Sequence, residues 1–243
     1  MRMLVVAAHV GDFVWRSAGS IAKYVQEGHH VEVIVLSDGL IEEAAEYWKR
    51  PGANEEEGSL LRQEEGRKAA EILLGSTENY HFLGWKDHPI VFDQERMDTL
   101  VKLIRDAQPD FIVTHDLKRD LYNPDHGNTA EFVLEASCFA RSTGRIDGHP
   151  RLTHVAPLFG MEAENPDICD FKPGCYVDIT EVIDKKCEAM KAIQTQSKMY
   201  DKYLAKAVVR GREAVNRCGR KGCQYAEVFS INHPIGSEGR FVF

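Results

Sequence analysis

At 243 residues the chain is long enough to bury one large core, and 43% hydrophobic with 28% charged residues is the balance of a soluble globular protein. A net charge of −8 excludes the basic footprint of a nucleic-acid binder and reads as plain solubility. No apolar run approaches the roughly 20 residues of a membrane span. Met1-Arg2-Met3-Leu4 enters a strand without a cleavage region, so the expected location is cytoplasmic.

Met3–Ala8 is an apolar run that stops at His9-Val10-Gly11-Asp12, the pattern of a parallel strand buried on both faces. Val14–Gln26 follows with Val14, Ala18, Ile21, Ala22 and Val25 at helical spacing, and Gly28 ends it. His30–Leu36 reads as a second strand closed by the turn Ser37-Asp38-Gly39. The long polar stretch from Glu42 to Gly58 is rich in Glu and contains one aromatic pair, Tyr47-Trp48, and loops this long are uncommon and often functional. Then come a helix over Leu60–Leu74, a weak strand over Tyr80–Gly84 and a helix over Gln94–Ala107. A strand over Asp110–Thr114 ends at His115. After a loop from Asp116 to Asp125, Thr129–Arg141 reads as the next helix. Strand alternating with helix in this way predicts a Rossmann-like, doubly wound, mostly parallel α/β sheet with helices on both faces.

The second half is less regular. His154–Met161 is expected as a strand, at an edge or kinked because of Pro157. Tyr176–Ile179 is another, and Thr180 caps a helix from Glu181 to about Lys198. Lys206 to Lys221 is basic, Ala226–Ser230 reads as a last strand, and the tail after Pro234 fits no element. With no repeat or linker, residues 1–243 are expected as a single catalytic domain. The six cysteines include no CxxC pair and read as free thiols in a reducing compartment, with a zinc clip at Cys218 and Cys223 as the alternative. Val208-Val209 and the Tyr200–Leu204 segment are the stretches a homo-oligomer would bury.

Chemistry in open α/β sheets sits at the carboxyl ends of the strands. His9 and Asp12 follow the first strand and offer nitrogen and oxygen to one Zn²⁺; His126, after the fourth strand, supplies a third ligand at the same sheet edge. The plain alternative is a buried His beside an Asp that caps the following helix. Three ligands with an open position suit catalysis, because bound zinc lowers the pKa of its water to about 7 and polarises a substrate oxygen. Fe²⁺, Co²⁺ or Mn²⁺ would also fit such a site. Asp125 would orient a ligand from outside, or be an exposed turn residue after Pro124. Arg16, one turn after Asp12, and Arg210, Arg212 and Arg217 offer forked donors for substrate carboxylates. The C-terminal arginines otherwise read as a solvated helix face or a subunit contact. His115 either lines the site or simply ends its strand.

Together, His9-Val10-Gly11-Asp12-Phe13 and Asn123-Pro124-Asp125-His126 resemble the signatures of the PIG-L/LmbE-like family of zinc-dependent deacetylases, His-Pro-Asp-Asp-Glu and His-Pro-Asp-His. The resemblance runs from Met3 through about Phe229 and implies His9, Asp12 and His126 as the metal ligands. Two departures stand inside the motifs. Gly11 takes the place of the Asp that serves the deacetylases as general base, and Asn123 that of a His that helps stabilise the oxyanion. A branch of the family, the 4-oxalomesaconate hydratases of gallate breakdown, also lacks that Asp. The chain is similar to this branch in Asp12-Phe13-Val14-Trp15-Arg16, Glu46-Tyr47-Trp48-Lys49, Asn123-Pro124-Asp125-His126 and Arg210-Gly211.

That likeness implies hydration of an unsaturated keto acid, a small carboxylate substrate. Glu46 would handle protons, with Asn123 and Asp125 in the catalytic group, and Arg16 and Arg210 would hold substrate carboxylates. From spacing alone Glu46 is an ordinary solvated carboxylate. Where the hydratases carry a His on the other wall, the alignment puts Glu164, whose charge would repel a tricarboxylate. Two other readings stay open: deacetylation of an N-acetyl sugar with Asp125 or Glu46 as substitute base, and a metal-binding protein whose catalysis has decayed.

Overall fold

The computed structural model describes residues 1–118, 120–144, 146 and 148–232; the tail after Pro234 lies outside the described residues. In chain order, β1 (Arg2–His9) leads to α1 (Asp12–Gln26), β2 (His30–Ser37), and two single-turn helices, α2 (Leu40–Glu43) and α3 (Ala45–Trp48). Then come α4 (Glu55–Leu74), β3 (Tyr80–Trp85), α5 (Gln94–Ala107), β4 (Phe111–His115) and α6 (Pro124–Arg141). The last third holds β5 (Leu158–Met161), β6 (Cys175–Asp178), α7 (Ile183–Ala192), α8 (Met199–Cys218) and β7 (Ala226–Ile231).

Among the described residues the strands form one seven-stranded sheet in the order β3-β2-β1-β4-β5-β7-β6. β3, β2, β1, β4 and β5 are mutually parallel, while β7 runs antiparallel to both β5 and β6. The unbroken apolar run of β1 follows from its position at the centre. Met3, Val5 and Ala7 pack on one face with α1, α4, α7 and α8; Leu4, Val6 and Ala8 pack on the other with α5 and α6. The expected doubly wound α/β sheet is therefore the fold. Successive strands are added on one side of β1 as far as β3 and on its other side from β4 onward, so the strand order reverses between β1 and β4, the switch point at which such sheets bind ligands.

The differences from expectation have local causes. α6 begins at Pro124, not Thr129, because a proline suits the first helical position, where its missing N–H costs nothing. The stretch from Glu42 to Gly58 is no continuous loop: it holds the end of α2, all of α3 and the start of α4, which Asn54 caps by accepting the Glu57 amide. β5 is shorter than predicted and sits inside the sheet between β4 and β7, not at an edge; Pro157 stays just outside it, and its carbonyl accepts the Ile112 amide. The helix expected to reach Lys198 is broken: Thr180–Val182 is a 3₁₀ turn, α7 stops at Ala192, and Gln194–Gln196 is a second 3₁₀ turn. Glu65 causes the second break by taking both the amide and the hydroxyl of Thr195, at 2.8 and 2.6 Å.

One buried ion pair fixes α1. Glu227 of β7 accepts the amides of Gly19 and Ser20, and Lys186 of α7 reaches it at 2.7 Å while also donating to the Trp15 carbonyl. The helix that carries Asp12 and Arg16 is thereby held from two sides. No helix among the described residues is long and apolar enough to cross a membrane. Cys218 is exposed and Cys223 gives its thiol to the Tyr225 carbonyl; among the described residues neither joins a group of three ligating side chains.

Candidate metal centre and active site

Four elements meet above the switch point. β1 ends at His9, and Asp12 opens α1, where its Oδ2 accepts the His9 amide at 2.9 Å. α6 puts Asp125 and His126 in its first turn. Glu43 ends α2, a turn that the left-handed Gly39 allows to fold back on β1; a side chain there would strike the His9 ring. His9, Asp12, Glu43 and His126 then offer one ligand atom each, all within 4.8 Å of one another.

These residues fit a metal ion. His9 Nδ1 lies 3.2 Å from Glu43 Oε1, and His126 Nε2 lies 3.3 Å from Asp12 Oδ1 and 3.4 Å from Glu43 Oε1. A tetrahedral ion with bonds of about 2.0–2.1 Å separates its ligands by about 3.3 Å. His9 Nδ1 and His126 Nε2 are buried yet have no hydrogen-bond partner. Buried polar atoms are almost always partnered, so two imidazole lone pairs converging on two carboxylates call for a cation between them.

The surroundings tune the donors. Burial disfavours charge on His126, but Asp12 more than offsets it and raises the group to about 9; Asp120 helps by binding Nδ1 at 3.0 Å. Burial likewise works against a charged His9, and Glu43, Asp12 and Asp125 override it, leaving the group well above its usual value. Asp12 is buried too, yet His126 and His115 hold it well below the usual carboxylate range. Asp120 resists burial through His126 and stays at about 2. Asp125 is no exposed turn residue: it is buried, accepts the amides of His88 and Ile90, and faces His9 Nε2 at 3.5 Å. Asp120 therefore holds the far nitrogen of His126 by a hydrogen bond, while Asp125 stands beside the far nitrogen of His9 without bonding it.

Glu43 is held by Asn123 and by two residues the sequence did not single out, Arg62 and Gln196. Arg62 of α4, fully buried, donates to the Asp38 carbonyl at 2.7 Å, to Gln196 Oε1 at 2.9 Å and to Thr195 Oγ1 at 3.1 Å, and meets Glu43 Oε2 at 3.5 Å. Gln196 also accepts the Trp15 indole N–H and donates to Glu43 Oε2. Asn123 gives its amide to Glu43 Oε1 at 3.2 Å. A Cβ at Gly11 would collide with the Gln196 carboxamide oxygen and the Trp15 indole. The space beside Gly11 is filled by this network.

Above the cluster opens a cavity of ≈ 380 Å³ lined by Glu43, Glu46, Lys49, Asn123, Glu164 and Lys198, among others. Glu43 is the one donor of the cluster that reaches its wall. Glu46 stands at the rim, paired with Lys49 at 2.7 Å and Lys198 at 3.1 Å; these bonds hold its carboxyl below the usual range. Glu164 is paired with Lys202.

Arg16 and His115 lie beneath the cluster. Arg16 is buried against Asp12, His126 Nδ1 and the Glu162 carbonyl. His115 stacks on His126 with ring centroids 4.1 Å apart, accepts the Ala8 amide, and is pushed down to about 3 by burial and the His126 charge. Arg210 does not face the cavity: Glu162 takes it with both oxygens and Glu213 takes the rest of its fork.

Comparison with known proteins agrees with this geometry. Residues 4–137 match the family model described as PIG-L, GlcNAc-PI de-N-acetylase. The chain is 34% identical over 216 residues to 4-oxalmesaconate hydratase of Pseudomonas putida, covering 89% of this chain and 82% of that protein. It is 25% identical to diacetylchitobiose deacetylase of Thermococcus kodakarensis, over 80% of this chain and 70% of the other. Among solved structures, the 4-carboxy-2-hydroxymuconate hydratase of Pseudomonas putida matches with a TM-score of 0.92 at 32% identity, covering 99% of this chain and all of that one (100%). The N,N'-diacetylchitobiose deacetylase of Pyrococcus horikoshii shares the fold at a TM-score of 0.76 and 21% identity, over 94% of this chain and 82% of that one. With the matched model spanning both ligand-bearing segments, this chain belongs to the PIG-L family.

Proposed function

We propose that this protein is a zinc-dependent hydratase that adds water to an unsaturated keto acid such as 4-oxalomesaconate. The whole chain would act as one cytoplasmic catalytic domain on a small carboxylate substrate. The observation that carries the reading is the filled space beside Gly11: Gln196 and Trp15 stand where a deacetylase-type base would need room. The likeness to the hydratase of Pseudomonas putida points the same way. The two substrates in the names of the hydratase relatives are keto and enol forms of one tricarboxylate skeleton.

In this reading His9, Asp12 and His126 hold zinc, and Glu43 is the fourth donor, on the cavity side. Bound zinc would supply positive charge for the enolate that develops next to the reacting double bond. The remaining work belongs to the protein. Hydration forms a C–O bond at one alkene carbon and a C–H bond at the other, so one group must take a proton from water and one must deliver a proton to carbon. Glu46 is assigned that traffic, because it lines the cavity and its carboxylate is held ionised by two ammonium groups. Arg16 balances the carboxylates beneath the cluster, Asn123 fixes Glu43, and Asp125 faces His9.

The test is the loss of 4-oxalomesaconate absorbance with zinc-loaded protein. Glu46→Gln is expected to lower kcat by about 100-fold or more, the usual weight of a general acid–base group, while zinc content stays at the parent level. Unchanged turnover in that variant would remove Glu46 from the chemistry.

Deacetylation of an N-acetyl sugar is the second reading, favoured by the likeness to diacetylchitobiose deacetylase. It predicts release of free amine from such sugars, and a flat amine assay across several of them would end it.

A further inference from the structure

The cavity wall carries a cation pair without a structural purpose of its own. Lys49 follows α3 and Lys198 precedes α8, so two separate segments bring them to one carboxylate, Glu46. Their side chains are 60% and 73% exposed, and exposed pairs of this kind add little to stability. Each ammonium has three donors. Glu46 Oε1 meets both, at 2.7 and 3.1 Å, which leaves donors on each turned to solvent in the cavity.

The arginines nearby are otherwise engaged. Arg16 is enclosed by Asp12, His126 and the Glu162 carbonyl, and Arg210 by Glu162 and Glu213. Among the described residues that line the cavity, Lys49 and Lys198 are the cations. The other charged residues of the wall are acidic: Glu42, Glu43, Glu46, Asp120 and Glu164. An anionic substrate entering such a wall needs positive charge to meet it, and this pair supplies it.

We propose that Lys49 and Lys198 are the specificity-determining residues of the cavity: together they bind the distal carboxylate of a polycarboxylate substrate, which replaces Glu46 as their counter-ion. This deepens the hydratase reading and rests on it. The exchange explains why the pair converges on Glu46. Without substrate, Glu46 keeps the two ammonium groups from repelling each other. With substrate, the incoming carboxylate takes over the ammonium groups and releases Glu46 toward the reacting end of the molecule. The negative charge of Glu164 is already answered by Lys202, which lessens the repulsion it would exert on a tricarboxylate.

The experiment measures binding of an unreactive tricarboxylate, propane-1,2,3-tricarboxylate, to the zinc-loaded protein by titration calorimetry, with 4-oxalomesaconate turnover measured alongside. Lys49→Met and Lys198→Met should each weaken binding by about tenfold, the usual worth of one charge-assisted hydrogen bond, and the double variant by more. Lys221→Met, an exposed position after α8, should bind like the parent. Glu46→Gln should bind the probe more tightly, because it frees the ammonium groups, although it turns over less. Merely structural lysines would not give that opposite pair of effects.

Parent-like binding by the double variant overturns the subsite. So does weaker binding by Glu46→Gln, and so does a parent that turns over 4-oxalomesaconate without binding the probe. Lysine-dependent probe binding with no turnover of 4-oxalomesaconate leaves the subsite standing and sinks the hydratase reading alone.

Discussion

Arg62→Met lowers the unfolding midpoint by about 10 °C and loosens the metal site at the same time. The guanidinium is fully buried, so its charge is tolerated only because Glu43, Glu65, Gln196, Thr195 and the Asp38 carbonyl surround it. Removing one member of a buried charge network strands the others. Here Glu65, itself buried at 4% exposure, loses the cation at 3.6 Å, and Glu43 Oε2 loses its cation and keeps the Gln196 amide. Breaking such a pair costs about 3–5 kcal/mol, and for a chain of this length each kcal/mol moves the midpoint by roughly 2–4 °C. Arg62→Lys should recover only part of the loss, since one ammonium cannot reproduce a fork that reaches three chain segments. Thermal unfolding followed by circular dichroism, with zinc content measured on the same samples, checks both effects. A midpoint within about 2 °C of the parent would mean that the network carries no weight.

The contrast between Arg62 and His9 shows what the sequence could reveal. His9, Asp12 and His126 could be singled out as candidate ligands because the first two close an apolar strand and the third comes after the fourth strand; the helix that carries His126 starts at Pro124, five residues before the expected start at Thr129. Their convergence needed only the rule that parallel strands share a carboxyl edge. Glu43 was not legible. It sits on a four-residue helix inside a Glu-rich run, too short for any periodicity, and nothing local sets it apart from Glu42 or Glu46. A carboxylate a few residues past the end of β2, the strand beside β1, was the available signal.

Arg62 and Gln196 were hidden for another reason. An Arg on a charged helix reads as solvated, and two of its partners, Thr195 and Gln196, lie more than 130 residues away. The break after α7 that presents Gln196 is imposed by Glu65 of α4, not by residues next to it. Arg210 shows the reverse failure. Its forked donors suited a substrate, but Glu162, two positions from Glu164, takes them first.

Asp12→Ala should abolish turnover and lower metal affinity far more than Asp120→Asn does. Asp12 is the hub of the cluster. Its Oδ1 faces His126 Nε2 at 3.3 Å and Arg16 Nε at 3.5 Å, while its Oδ2 binds the His9 amide and faces His115 at 3.3 Å. Its loss therefore removes one oxygen donor and also leaves Arg16 and the imidazoles facing one another without the charge that balances them. Like charges left together in a buried site disfavour a divalent cation there. Within the cluster Asp120 meets the far nitrogen of His126, at 3.0 Å, so its neutral replacement loosens one ligand without deleting any. Changes to such outer partners cost about 10–100-fold in metal affinity, and deletion of a direct donor should exceed that range. Competition against a chromogenic zinc chelator at fixed pH orders the parent, Asp120→Asn and Asp12→Ala. If Asp12→Ala kept zinc as tightly as Asp120→Asn, Asp12 would be a helix-opening residue with no metal to hold, and the cluster would have to be rebuilt around Glu43 and the two histidines.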